Sequence, residues 1–341
     1  MSTLLTTVVG SYPIPHWLPQ AGTREALRDA ILAVLKTQEN AGIDLISDGE
    51  LSRFDVNHPE TNGMIDYFLR PLKGVDVQPT RQDIIDFRSS EVGRYRREPA
   101  AVAREELGEG QLNLVRDWEF VRDLSRTPMK FTCTGPHMLA KVFMDRHYGE
   151  PSKLAMALAE ILRTQLAPID ASVIQVDEAN ITGHPEESEW AAHAINHVLG
   201  AVPKDAASGT PPERAVHLCF GNYGGQTIQQ GHWSALIAFL NNLDVDHVIL
   251  ECARRDKQEL AALAAVDSRI HLGVGVVDVK DNRVETPDEI AKTIDRTASL
   301  VGGVERIRYI HPDCGFWMLQ RSVADRKMET LVQGRDRFLG R

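Results

Sequence analysis

The sequence has neither an excess of basic residues nor a long apolar run. Its 38 Lys and Arg are outnumbered by 48 Asp and Glu, which gives a formal net charge of -10. Nucleic acids and anionic membranes are bound through basic surfaces, so we expect neither as a partner. No segment approaches the ~20 apolar residues of a membrane helix. The N-terminal MSTLLTTVVGSYP also has no charged region ahead of an apolar stretch, so we expect a cytoplasmic protein.

Cysteine is scarce as well. The chain of 341 residues has four, Cys133, Cys219, Cys252 and Cys314. Disulfides are rare in the reducing cytoplasm, so a disulfide framework is not expected here. Metal binding or catalysis is the use that these cysteines favour.

Short apolar runs rich in β-branched residues alternate with longer amphipathic stretches along the chain. This pattern is typical of parallel strands covered by helices. We predict eight strands, at 6–11, 44–48, 130–135, 173–178, 215–220, 247–252, 271–278 and 307–313. Eight such units predict an α/β fold in which residues 1–341 form a single (β/α)8 TIM barrel. The long interval between the second and third strands predicts a large insertion after strand 2, an excursion at about 52–129 over the barrel mouth.

Polar residues follow almost every predicted strand. The strand ends read GSYP, SDGE, TGP, VDEAN, HLCFGN, LECARRD, VVDVKD and HPDCG. Active sites of (β/α)8 barrels collect at the C-terminal ends of the strands. A ring of side chains that can ligate, protonate or hydrogen-bond therefore indicates an enzyme.

The segment HLCFGN suggests a metal. Side chains alternate between the two faces of a strand, so His217 and Cys219 point to the same side. Glu251 ends the next strand and Cys314 follows the last one, and nitrogen, sulfur and carboxylate ligands together suit tetrahedral zinc. Taken singly, each of these residues is also compatible with ordinary burial in a core.

In their order along the chain, VVGSYP, AGIDLISDGE, TGP, IQVDEAN, HLCFGN, ILECARRD, LGVGVVDVK and HPDCG resemble the catalytic C-terminal barrel of the cobalamin-independent methionine synthases. The resemblance implies zinc as cofactor, held by His217, Cys219, Glu251 and Cys314. It implies homocysteine as the thiol substrate, bound by Ser11, Glu50 and Asp177. Cys252 competes with Glu251 as a ligand, but it faces the opposite side of its strand, and the family has a glutamate at position 251.

The chain departs from the family where the methyl donor is handled. Val142 stands where the family places a tryptophan against the folate pterin, and Lys280, in VVDVKD, stands where it places a catalytic histidine. The long members also have an N-terminal half that helps to hold folate, and we expect this chain to work without one. These departures favour the short "core" members, whose methyl donor is a corrinoid or another non-folate compound; for this chain we expect a corrinoid, as methylcobalamin or on a corrinoid protein. We take Asp278 of the same segment, with Glu50 and Asp177, as a catalytic residue.

Two other functions stay open. Zinc thiol alkyltransferases such as epoxyalkane:coenzyme M transferase share the GSYP opening and VVDVK, and would join another thiol to an epoxide or other electrophile. The presence of Glu50 and Asp177, which suit a substrate ammonium, favours homocysteine instead. A zinc-binding barrel without transferase activity, such as a hydrolase or a chaperone for a corrinoid protein, is the third. A site with two cysteines is a poor Lewis acid for hydrolysis.

Overall fold

The structure is a computed structural model that describes residues 4–53, 62–90, 96–204, 210–222 and 225–341. Its ten strands are β1 (Leu5–Thr6), β2 (Lys73–Asp76), β3 (Ala101–Gly108), β4 (Lys130–Thr134), β5 (Phe143–Asp145), β6 (Val173–Asp177), β7 (Glu213–Leu218), β8 (His247–Leu250), β9 (His271–Val277) and β10 (Ile307–Pro312). Its α-helices are α1 (Leu18–Ala21), α2 (Arg24–Ala41), α3 (Asp66–Leu69), α4 (Arg81–Ser89), α5 (Leu114–Val121), α6 (Pro136–Lys141), α7 (Pro151–Leu166), α8 (Ser188–Leu199), α9 (Ile237–Asn242), α10 (Lys257–Ala262), α11 (Pro287–Val301) and α12 (Arg321–Phe338).

The main sheet has seven strands in the order β1-β10-β9-β8-β7-β6-β4, and all of its neighbours pair in parallel. Helices intervene between successive strands, as parallel pairing requires. β4, β6 and β8 are buried along their whole length, as expected of parallel strands that are covered on both faces. The predicted α/β fold with a parallel sheet is confirmed.

Residues 44–48 do not form a strand of their own, contrary to the prediction. Isolated parallel bridges join Thr7 to Leu45 and Ile46 to Met129. The Asp44 carboxylate accepts hydrogen bonds from the Thr6 amide at 2.7 Å and the Thr6 hydroxyl at 2.8 Å. The Asp44 side chain therefore occupies a backbone donor that a longer ladder between these segments would use. β1 itself has only two residues, where 6–11 was predicted.

Residues 62–90 and 96–129 contain α3, β2, α4, β3 and α5. β2 pairs antiparallel with β3, and β3 pairs in parallel with β5 to give a second, three-stranded sheet. β5 follows β4 in the chain, so the second sheet also uses residues beyond the predicted excursion at 52–129. Residues 54–61 and 91–95 of that excursion lie outside the described part.

The helices begin and end at recognisable signals. Thr286 caps α11 in a capping box with Glu289, Pro287 opens the helix, and Gly302, at φ 100°, ends it. In α2, the Thr23 side chain accepts a hydrogen bond from the Ala26 amide at the start, and Gly42, at φ 84°, ends the helix. Among the described residues, no helix combines the length and the apolar character needed to cross a membrane.

Candidate metal centre and active site

His217, Cys219 and Cys314 come together at the C-terminal ends of the strands of the main sheet. Their candidate ligand atoms all lie within 4.8 Å of one another. His217 lies in β7, and Cys219 is the residue directly after that strand. Cys314 lies two residues after the end of β10. The three residues were predicted to share a site from the alternation of β7 and the position of HPDCG.

The imidazole of His217 is oriented for metal binding. Its Nδ1 lies 3.1 Å from the Ile249 carbonyl oxygen, to which it can only donate. With the proton on Nδ1, the lone pair on Nε2 is free, and buried Nε2 has no hydrogen-bond partner among the described residues. Metal-bound histidines typically have this arrangement, in which the second nitrogen donates to a carbonyl or a carboxylate.

The two sulfur atoms have a spacing that suits zinc. Cys219 Sγ and Cys314 Sγ are 3.8 Å apart, and two sulfurs bound at about 2.3 Å to a tetrahedral zinc would be separated by about 3.8 Å. Cys314 beside it, together with burial, raises the pKa of the Cys219 thiol well above its usual range. Both thiols could ionise together only with a cation bound between them, and the residues present fit a zinc ion in that role.

Glu251 is not part of this group of ligand atoms. One of its oxygens, Oε1, lies 2.7 Å from Lys280 Nζ. The other, Oε2, accepts a hydrogen bond from the Phe220 amide at 2.9 Å. Both oxygens of Glu251 thus have protein partners, and Glu251 as the fourth ligand stays a prediction.

Cys252 is also separate from the group. It is buried, and burial raises the pKa of its thiol well above the usual range. Its backbone amide donates to Asp313 Oδ1 at 2.8 Å. These surroundings are those of a packed core cysteine.

Glu50 has a strained backbone. Its φ of 60° is the only positive value at a non-glycine position among the described residues, and such strain concentrates at functional sites. Its Oε1 accepts a hydrogen bond from Thr132 Oγ1 at 2.7 Å and lies 3.5 Å from Arg53 Nη1. Gly10 makes room for it, because a Cβ atom there would lie 2.1 Å from Glu50 Oε1.

Asp177 ends β6 directly opposite His217 in β7. Gln175 Nε2 donates to its Oδ1 at 2.7 Å. Burial raises the pKa of Asp177 to about 6, and the neighbouring His217 acts in the opposite direction. A carboxylate in such a dry position favours a cationic partner.

Ser11 lies beside the residue that follows Cys314. A Cβ atom on Gly315 would lie 1.9 Å from Ser11 Oγ, and the Phe316 amide donates to the Ser11 carbonyl at 2.8 Å. The Ser11 backbone is therefore fixed next to the predicted metal ligand Cys314.

Both carboxylate oxygens of Asp278, which follows β9, accept hydrogen bonds from neighbouring residues. Its Oδ2 accepts a hydrogen bond from Arg254 Nε at 2.6 Å, and its Oδ1 accepts one from the Lys280 amide at 2.8 Å. The structure does not place it in the group with His217, and its contacts shape the turn that carries Lys280.

Several polar residues of the interior were not predicted. Arg53 contacts Thr132 and Glu50, and Lys130 Nζ donates to Gln175 Oε1 at 2.8 Å. Burial lowers the pKa of Lys130 to about 7. Lys130 begins a predicted strand, and a lysine in an otherwise apolar strand was the signal that could have drawn attention to it.

A second group of possible ligands, His184, Glu186 and Glu187, lies after β6. Glu187 already accepts hydrogen bonds from His137 Nε2 at 2.8 Å and Lys141 Nζ at 3.0 Å. This group is accounted for by an ion-pair network.

The family that this geometry suggests is the one that matches the sequence. A sequence model described as "Cobalamin-independent synthase, Catalytic domain" matches residues 4–335. The chain belongs to the cobalamin-independent synthase family. This confirms the resemblance found in the motifs.

Relatives of this family align along almost the whole chain. A protein named methionine synthase from Thermococcus kodakarensis is 31% identical over 97% of this chain and 92% of its own length. One of the same name from Sulfurisphaera tokodaii is 30% identical over 97% and 91%. A solved structure of a B12-independent methionine synthase from Shewanella sp. W3-18-1 has a sequence 24% identical to this one. The match covers 99% of this chain and 98% of that chain, with a TM-score of 0.78. That structure supports the fold.

Proposed function

We propose that this protein is a zinc-dependent methyltransferase that methylates the thiol of homocysteine to give methionine. The observation that carries the proposal is the group formed by His217, Cys219 and Cys314, with an unpartnered His217 Nε2 and a sulfur spacing that suits zinc. Membership of the synthase family, and the names of the relatives above, support the choice of reaction.

His217, Cys219 and Cys314 would hold the zinc ion. When bound there, zinc lowers the pKa of a substrate thiol while leaving its sulfur nucleophilic. The sulfur then forms a bond to the methyl carbon, and the bond from that carbon to the donor breaks, with its electron pair staying on the donor. The thiol proton leaves before this step.

Asp177 and Glu50 would receive the substrate ammonium, and the Ser11 backbone would contact the rest of the amino acid. Two carboxylates bind a cation better than one, and burial strengthens the attraction of Asp177. Asp278 acts through Lys280, because its carboxylate is engaged by Arg254 and by the Lys280 amide.

We assign the methyl donor to a non-folate class, a corrinoid supplied as methylcobalamin or on a partner protein. Val142, at the position of the pterin-stacking tryptophan, is fully buried at the end of α6 and offers no face to a pterin. Lys280, at the position of the catalytic histidine, is occupied by Glu251.

The architecture proposed for this site is one (β/α)8 barrel domain. The bridges from Leu45 to Thr7 and from Ile46 to Met129 connect both ends of the seven-stranded sheet to residues 44–47. A ring closed in this way would gather all eight strand ends around the metal position, with the predicted excursion at 52–129 beside it.

A second candidate function is alkyl transfer to a different thiol, one that carries a sulfonate or carboxylate group. Arg53 favours it, because Arg53 Nη1 lies 3.5 Å from Glu50 Oε1 and makes no hydrogen bond within the described part of the chain. A sulfonate or carboxylate on the thiol could use this guanidinium.

The deciding experiment incubates zinc-loaded protein with homocysteine and, in separate reactions, methylcobalamin, methyltetrahydrofolate and its triglutamate. Methionine is measured by mass spectrometry. We expect methionine from methylcobalamin and little from either folate. Turnover with the triglutamate that equals or exceeds that with methylcobalamin would overturn the donor assignment. No methionine from any donor, with a thioether formed from an acidic thiol and an epoxide, would favour the second candidate.

A further inference from the structure

Gln175, in the middle of β6, spans the interior of the main sheet. Its side chain is fully buried, and its Nε2 donates a hydrogen bond to the Val9 carbonyl oxygen at 2.9 Å. Val9 follows β1, which is separated from β6 in the sheet by β10, β9, β8 and β7. The same Nε2 donates to Asp177 Oδ1 at 2.7 Å. Gln175 therefore connects the Asp177 carboxylate to the backbone of a distant strand.

Lys130 holds the other end of this amide. It is buried at the start of β4, and its Nζ donates to Gln175 Oε1 at 2.8 Å. Within the described part of the chain, Nζ makes no other hydrogen bond and no ion pair. Burial of a lysine without an ion-pair partner costs stability, which favours a role in function over a role in packing. An amine has N–H groups in its charged and neutral forms alike, so this contact does not depend on the charge of Lys130.

These contacts fix which end of the Gln175 amide faces Asp177. A backbone carbonyl can only accept, so the Val9 oxygen requires Nε2 on its side, and Lys130 supplies the donor for Oε1. Gln175 can therefore only donate to Asp177. Its N–H holds Oδ1, whereas Oδ2 accepts no hydrogen bond from any residue that the structure describes. Residues 175 and 177 are two apart on β6, so both side chains lie on the same face of the strand.

From this arrangement we infer that Gln175, held by Lys130, is a positioning residue that presents Asp177 Oδ2 to the ammonium group of the thiol substrate. The preference for an amino-acid thiol over a thiol without an amine then depends on Gln175 as well as on Asp177. This inference rests on the amine site of the proposed function. It adds the two residues that support that site, and neither of them is assigned a contact with the substrate.

The test measures the binding of homocysteine and of 4-mercaptobutanoate, which has no amine, to the zinc-loaded protein by isothermal titration calorimetry. The ratio of the two dissociation constants is the preference for the amine. The variants are Gln175→Met, Lys130→Met and the double variant. Gln165→Met is the matched control, because Gln165 is also a buried glutamine but lies in α7, where its Oε1 accepts the Leu114 amide at 2.9 Å.

Gln175→Met should reduce the preference for homocysteine about tenfold or more, the effect of losing a hydrogen bond to a charged group, while the affinity for 4-mercaptobutanoate changes little. Lys130→Met should reduce the preference less, because the Val9 carbonyl still orients the amide. In the Gln175→Met background, Lys130→Met should have no further effect, since Lys130 acts through Gln175. Gln165→Met should leave the preference unchanged.

An unchanged preference in folded Gln175→Met would overturn the inference. An equal loss of affinity for both thiols would overturn it too, because damage to the fold alone has that effect. If Lys130→Met changes the preference in the Gln175→Met background, the role assigned to Lys130 is wrong, and the lysine acts on the ammonium through its charge.

If circular dichroism shows that Gln175→Met does not fold, the double variant replaces it, since that variant leaves no buried amine without a partner. A loss of preference of about tenfold in the double variant then supports the inference, and an unchanged preference overturns it. A wild type without any preference for homocysteine would refute the amine site of the proposed function, and this inference with it. A wild-type preference that the variants retain would overturn this inference alone.

Discussion

His217 shows how the backbone of a neighbouring strand prepares a side chain for a metal. The Ile249 carbonyl in β8 takes the Nδ1 proton and so leaves Nε2 as the only free nitrogen. The register of β7 against β8 therefore fixes the tautomer as well as the position. Cys219 is fixed by the same strand end, which makes this half of the site rigid.

Removal of either metal-binding thiol should remove the metal. We expect about one zinc per chain, bound by the group of donors that contains His217. Cys219→Ser and Cys314→Ser should lose most of it, because each variant lacks one of the proposed ligands. Metal analysis of purified protein measures this. Cys252→Ser is the control and should keep its zinc, since Cys252 lies outside the group. Full zinc content in both of the first two variants would refute the ligand assignment.

Asp177 should discriminate between thiols by their amino group. Asp177→Asn should weaken homocysteine by about 2 kcal/mol, the size of a charge-assisted hydrogen bond, and should affect 4-mercaptobutanoate, which lacks the amine, much less. Binding or KM of the two thiols measures the difference. Asp278→Asn should affect both thiols alike. An equal loss for both thiols in Asp177→Asn would place the acid in another role.

Strand alternation predicted that His217 and Cys219 share a face, and their side chains do lie together with Cys314. His217 and Cys219 are two residues apart on one strand, so their shared face follows from the period alone. The position of the Glu251 carboxylate could not be predicted in this way, because Lys280 binds it from a different loop. The contact of Arg53 with Glu50 was equally hidden, since it depends on the left-handed backbone at Glu50.

α6 is held against the end of β6 and the start of α8 by a buried polar network. His137 Nδ1 lies 2.9 Å from Glu178 Oε1, and His137 Nε2 lies 2.8 Å from Glu187 Oε2. Burial acts to lower the pKa of His137, but attraction to the two glutamates outweighs it and raises that pKa. The motifs TGP and VDEAN are thus linked by charge, which the sequence pattern did not reveal.

This network should make stability depend on pH through Glu187. Burial acts to raise the pKa of Glu187, but hydrogen bonds from His137 and Lys141 outweigh it and lower the pKa from 4.5 to about 2. Because the folded-state pKa is the lower one, the stabilisation is present above about pH 5 and is lost as the pH falls towards 2. Glu187→Gln should therefore lower the free energy of unfolding by about 1 to 2 kcal/mol at neutral pH, with allowance for partial exposure.

Urea unfolding followed by circular dichroism between pH 7 and pH 2 checks this. The difference between the wild type and Glu187→Gln should shrink steadily below pH 5. Exposed Glu186, replaced by Gln, serves as the control and should show a much smaller difference. A constant difference across the range would mean that the carboxylate contributes through packing and not through its charge.

The main sheet was predicted well, and the reasons are physical. Seven of the eight predicted strands are present, and those from β4 onward agree with the predicted ranges to within two residues. Buried parallel strands consist of continuous β-branched and apolar runs, which makes them conspicuous. The second sheet was missed because β2 has no fully buried residue and β5 has only three residues, so neither shows a clear hydrophobic period.

In the proposed barrel, closure of the sheet into a ring would depend on residues 44–47. The Leu45 amide donates to the Thr6 carbonyl at 3.1 Å on one side, and the Ile46 amide donates to the Pro128 carbonyl at 3.0 Å on the other. Asp44 reinforces this junction, because its carboxylate binds the Thr6 amide and lies 2.7 Å from Arg335 Nη1 of α12. The two edges of the seven-stranded sheet, at β1 and β4, therefore both contact residues 44–47.

If the ring is closed, the amides of Leu45 and Ile46 should exchange with deuterium about as slowly as that of Val248 in the middle of the sheet. Asp44→Ala removes a charged acceptor worth about 1.5 to 3 kcal/mol, so exchange at both amides should become at least about tenfold faster while Val248 changes little. Asp29→Ala, on the exposed face of α2, is the matched control. Hydrogen exchange followed by NMR or mass spectrometry measures these rates. Exchange of Leu45 and Ile46 at the rate of an exposed loop in the wild type would mean that the sheet is open between β1 and β4, and that the strand ends do not surround the metal position.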